Sequence, residues 1–169
     1  LLPIIGLAQS AFDKYEDMEQ VSSVIVNKGL INLMSSLNSD GMDEEAREFM
    51  EVARGIDGIK VFITEDEGVS QDMAATVRKH LRKSSMEELM RVKDKDGQVK
   101  FYIKNGKNDN HVQELLMFVS GMDESKMNIK GRKFESVLVS LTGDIDLNKI
   151  GALTKKMNLP KELENAGGR

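Results

Sequence analysis

Lys93-Asp94-Lys95-Asp96-Gly97-Gln98, followed at once by Val99-Lys100-Phe101-Tyr102-Ile103-Lys104, is the stretch that decides the fold. Asp-Gly is the pair that supplies positive backbone angles to a tight hairpin turn. The β-rich segment Glu88-Leu89-Met90-Arg91-Val92 leads into it. After the turn, Val99, Phe101 and Ile103 alternate with Lys100, Tyr102 and Lys104, so a strand with one buried and one wet face is expected. Two adjacent strands joined this tightly must be antiparallel.

Working outward, Asn105 to Asn110 reads as a polar loop, and Val112 to Val119 as a central strand covered on both faces. Phe134 to Leu141 reads as a further strand ending at Gly143, with Asp146 capping a last helix that carries Leu147, Ile150, Leu153 and Met157 inward until Pro160. On the N-terminal side, Val21 to Val26 is β-rich, and Leu30, Ile31, Leu33, Met34 and Leu37 follow at helical spacing. Asp43 should cap a second helix with Ala46, Phe49, Met50 and Ala53 on one apolar face, ended by Gly55 as a left-handed cap. Ile59 to Thr64 reads as a strand. Ser70 should cap a third helix, with Met73, Val77 and Leu81 inward. The order β-α-α-β-α-β-β-β-β-α is that of an α+β protein: an antiparallel-rich sheet of about six strands with helices packed mainly on one face.

Composition bounds the rest. The 169 residues, 40% hydrophobic and 31% charged, suit one globular domain over residues 9–160, with a flexible tail at 161–169. A net charge of -4 with interspersed signs argues against nucleic acid as partner. The absence of cysteine excludes thiol catalysis, zinc-thiolate sites and disulfides. With 11 methionines and no tryptophan, methionine should fill core gaps that aromatics otherwise fill.

Leu1 to Ala8 is an uncharged apolar run that gives way to acidic sequence at Asp13. It reads as a signal-peptide remnant, with Gly6 and Ala8 at the small-residue positions before a cut that leaves Gln9 first. Export to the periplasm or cell envelope is the expectation. No segment approaches the roughly 20 apolar residues a membrane-spanning helix requires, so no stable membrane insertion is expected after processing.

Four stretches together resemble a known family: Phe12-Asp13-Lys14-Tyr15, Val21 to Val26, Leu89-Met90-Arg91-Val92, and Leu138-Val139-Ser140-Leu141-Thr142-Gly143-Asp144-Ile145. They are similar to the exported bacterial family known as domain of unknown function 4252, common in the Bacteroidetes, over about Ser10 to Met157. The resemblance implies an exported envelope protein, often a lipoprotein in that family, with no established activity. This chain departs from the lipoprotein members in having no cysteine at the cleavage site. The resemblance assigns no functional residue.

Chemistry-bearing residues are sparse. His80 and His111 stand without the spacing of a zinc helix, and read as ordinary, partly exposed histidines. Asp94, Asp96, Gly97 and Gln98 echo a calcium loop, but Ile103 holds the position where such a loop needs glutamate. Asp144 and Asp146, and Asp40 and Asp43 with Glu44 and Glu45, precede helices, where capping accounts for acidic residues. No serine stands in a nucleophile-elbow or Ser-x-x-Lys setting, and no cofactor motif is present. The largest cationic cluster is Arg78-Lys79-His80-Leu81-Arg82-Lys83. With Lys100, Tyr102 and Lys104 on the wet strand face, Arg78, Lys79, Arg82 and Lys83 form the candidate interaction surface, for an envelope protein partner. The leading reading is a non-catalytic binding or regulatory module. The alternatives are a small metal- or carboxylate-dependent hydrolase, betrayed by a cleft holding carboxylates or a histidine, and a self-assembling component, betrayed by an unprotected sheet edge.

Overall fold

The computed structural model describes residues 10–36, 41–95, 97–121 and 134–150. The expected signal-peptide remnant, Leu37, Asp40, Asp96, the expected continuation of the last helix beyond Ile150 and the expected tail lie outside them. A single 3-10 turn, Asp13–Tyr15, precedes β1 (Val21–Asn27), α1 (Lys28–Ser36), α2 (Glu44–Arg54), β2 (Ile56–Thr64) and α3 (Glu67–Lys83). Then follow β3 (Glu87–Asp94), β4 (Gly97–Asn105), β5 (His111–Ser120) and β6 (Ser136–Asp146), with residues 147–150 helical. All six strands form one antiparallel sheet in the order β1-β2-β6-β5-β4-β3. The hairpin is there: Asp94 pairs with Gly97 across the turn, and Gly97 supplies the positive φ of 141°.

Alternation along the strands sends side chains to two separate cores. One face carries Phe12, Tyr15, Phe62, Met73, Val77, Tyr102, Leu116, Phe118 and Leu138, under α3 and the 3-10 turn. The other carries Ile56, Ile103, Val112 and Ile145, with Ile31 of α1 over them. β5 is central, and contributes Leu116 and Phe118 to the first core and Val112 to the second.

The 3-10 turn is tied down by charge as well as burial. Tyr15 is fully buried, and its hydroxyl donates to Asp72 Oδ2 at 2.6 Å. Lys14 bonds the same oxygen at 2.7 Å. Burial, and then the hydrogen bond to Asp72, pushes the Tyr15 hydroxyl well above its ordinary pKa. Lys60 of β2 binds both Asp13 and Glu16; burial pulls its pKa down, but those hydrogen bonds outweigh it and hold the ammonium above its usual value.

Four expectations need correcting. Asp66, not Ser70, caps α3: its carboxylate accepts from the Val69 N–H at 2.8 Å, one turn earlier. Ser70 lies inside the helix and shares a hydrogen bond with Ser136. Gly55 ends α2 in a right-handed conformation (φ −79°), and β6 runs on through Gly143 to Asp146. Both glycines answer the same demand: the two backbones cross so closely that a Cβ on either would strike the other's carbonyl, Asp144 O or Gly55 O. Gly143, at φ +150°, is strained for any side chain as well. Finally, α2 buries no residue fully, and Phe49 on its expected apolar face is 57% exposed.

Candidate functional site

Packing of α3 dictates where its charges go. Met73 and Val77 point into the first core, so the 3.6-residue period turns Arg78, Lys79, Arg82 and Lys83 to the opposite side, and all four are exposed. None of the four makes an ion pair among the described residues. His80 and Leu81 remain on the inner side. The His80 Nε2–H donates to Glu114 Oε1 at 2.9 Å, a tautomer that follows because the carboxylate has no proton to give. The ring also meets Phe12 edge-on, with centroids 5.0 Å apart. Thus the last turns of α3 are pinned over β5.

Glu114 is the cross-strand partner of Lys104, and Phe118 that of Lys100. Both lysines therefore share the face of the sheet on which α3 lies. The structure brings the two halves of the expected cationic surface to the same side of the molecule. Tyr102 does not belong to that surface. It is 6% exposed and packs into the first core, because its partner Leu116 and the end of α3 cover the strand face that the Lys-Tyr-Lys alternation marked as wet. Burial raises the pKa of its hydroxyl. On neighbouring β3, Glu88 is paired with Arg91 at 2.7 Å, which holds the carboxyl below its usual range.

A second feature is a cleft of about 360 Å³ between α2 and the adjoining ends of β5 and β6, lined by Glu51, Arg54, His111, Asp144, Asp146 and Lys149. His111 opens β5 opposite Asp146, and the two-residue strand period sets Asp144 beside it. Asp144 Oδ1 accepts from the His111 Nδ1–H at 2.7 Å, while Asp146 Oδ2 stands 4.0 Å from Nε2. Lys107 donates to the other Asp144 oxygen at 2.8 Å; this bond first, and the one from His111 next, holds the carboxyl below its ordinary value. An imidazole oriented by one carboxylate with its second nitrogen toward a cleft can take or pass a proton there. Neither histidine is unpartnered. Their acceptors lie 33 and 34 residues away, so no local spacing could reveal them.

Among the described residues, no group of three or more His, Asp or Glu is placed to hold a metal ion. The echo of a calcium loop is answered by the hairpin, though Asp96 lies outside the described residues. No helix among those residues is long and apolar enough to cross a membrane.

Fold and surface together define a small α+β domain: one antiparallel sheet, two cores, a cationic patch and a histidine–aspartate cleft. The family model described as "Domain of unknown function (DUF4252)" matches residues 15–153, most of the chain, and the chain belongs to that family. No curated protein and no solved structure matches it.

Proposed function

We propose that the protein is an exported, non-catalytic binding module of the bacterial cell envelope that docks an acidic protein partner on its α3 face. The observation that carries this reading is the convergence of Arg78, Lys79, Arg82 and Lys83 with Lys100 and Lys104 on one side of the sheet, the first four without acidic partners among the described residues. Exposed cations such as the four on α3 contribute little to folding but steer an oppositely charged partner, and Lys100 and Lys104 beside them are half-buried. Export is supported by the apolar run Leu1 to Ala8 and its abrupt acidic boundary.

The test is crosslinking and recovery from intact envelopes, wild type beside Arg78→Glu, Lys79→Glu, Arg82→Glu and Lys83→Glu combined. One enriched acidic partner, reduced about tenfold or more by the charge reversal, supports the reading. Equal recovery by both forms contradicts it, and retention of a tagged full-length chain in the cytoplasm contradicts export.

The cleft favours a second reading, a small hydrolase using His111 as base. That reading predicts turnover of simple ester or phosphate-ester substrates that His111→Gln abolishes. Absence of turnover by the wild type removes it.

A further inference from the structure

β1 lies at one end of the sheet order, so one row of its backbone N–H and C=O groups faces away from β2. Such a row is a template for another strand, and proteins usually blunt it with charge or proline. The opposite edge follows that rule: β3 carries Glu87, Glu88, Arg91, Lys93 and Asp94. β1, Val21-Ser22-Ser23-Val24-Ile25-Val26-Asn27, carries neither charge nor proline. It also sits in apolar surroundings. Of seven exposed large apolar side chains among the described residues, six belong to β1, α1 and α2: Val24, Ile25, Leu30, Leu33, Met34 and Phe49. The one charge in α1, Lys28, is spent on the Arg54 and Ile56 carbonyls and on Asp57.

We propose that this edge is a homodimer interface, in which two copies pair β1 to β1 antiparallel about a two-fold axis at Val24. The strand is its own complement. With Val24 opposite itself, Ser23 meets Ile25, Ser22 meets Val26 and Val21 meets Asn27. No like charges are brought together, so self-pairing meets none of the repulsion that limits a charged edge. An uncharged strand also offers nothing to select a charged partner, whereas a second copy brings the same strand and apolar rim. An axis normal to the sheet keeps both copies of α1 on one side, so the exposed leucines and methionine flank the joint from each copy. The inference is independent of docking on α3, which lies on the other face.

Because the chain has no cysteine, single substitutions report the register cleanly. In this pairing the Cα atoms of two Val24→Cys copies stand about 4.5–5.5 Å apart, within disulfide reach. Two Ser22→Cys copies stand roughly 13 Å apart and cannot join. Mild oxidation should convert Val24→Cys, and not Ser22→Cys, to a covalent dimer of twice 18.9 kDa. Light scattering from about 1 μM to about 1 mM should show a concentration-dependent dimer of the wild-type chain. Val24→Lys should shift it to monomer with an unchanged circular dichroism spectrum, since Val24 is 56% exposed. A wild-type monomer throughout that range, or equal crosslinking of both cysteine variants, would overturn the proposal.

Discussion

The two faces of the sheet are covered unequally. Ten buried residues, five of them aromatic, make the α3 face, and the 17-residue α3 and the 3-10 turn close over them. The opposite face has five, all aliphatic, under the shorter α1 and α2, whose outer residues Leu33 and Phe49 are 60% and 57% exposed. Buried area is the main favourable term in folding, so the first face should hold the molecule together. The second has apolar surface to spare for a partner. The better-packed face thus carries most of the stability, and the proposed self-association falls to the β1 edge and the thinly covered face beside it.

Truncation is the sharpest way to break this comparison. Phe62 is fully buried beneath the 3-10 turn, with its ring 5.8 Å from Tyr15, and Phe62→Ala should cost about 3–5 kcal/mol in urea unfolding. Ile145→Ala on the other face should cost about 2 kcal/mol, near the low end for such a change, because the neighbouring cover is thin. Equal losses would mean that both faces are equally packed.

Tyr15→Phe keeps the ring and removes the hydroxyl that bonds Asp72 and Thr76, for an expected loss of about 1 kcal/mol. It also carries a pH signature. The Tyr15 pKa is raised in the folded chain, so its contribution is complete below the ordinary value of 10.0 and is lost as pH rises beyond it. Stability of the wild type should fall above pH 10, and Tyr15→Phe should flatten that fall. The smallest effect belongs to the exposed cleft: Lys107→Ala should leave stability unchanged while moving the Asp144 carboxyl back toward its ordinary pKa, read by NMR titration.

Most of the architecture was legible because its determinants are local. Asp96-Gly97, the apolar run of β5, and Met73, Val77 and Leu81 at helical spacing each carry their own signal, and together they specify the antiparallel order. What sequence reading missed depends on residues far apart in the chain. Gly55 and Gly143 look like ordinary element ends until their backbones cross 88 positions apart. Tyr102 sits between two lysines and reads as wet until Leu116 and α3 cover it. Phe12 and Tyr15 fall in a short stretch without periodicity, yet both are almost wholly buried. The cationic patch was half legible: the run at 78–83 is contiguous, but only the pairing of Lys104 with Glu114, itself bonded to His80, sets the strand lysines on the same side.

The most direct test of the division between faces is amide hydrogen exchange, residue by residue, in dilute and in concentrated solution. Central β5 and β6 should exchange slowest at both concentrations, as expected for the cooperative centre of the sheet. The β1 amides that face away from β2 should exchange fast when dilute and become protected when concentrated. If they are as protected as β6 at the lowest concentration, or equally unprotected at both, the claim that this side of the sheet is held in reserve for association is wrong.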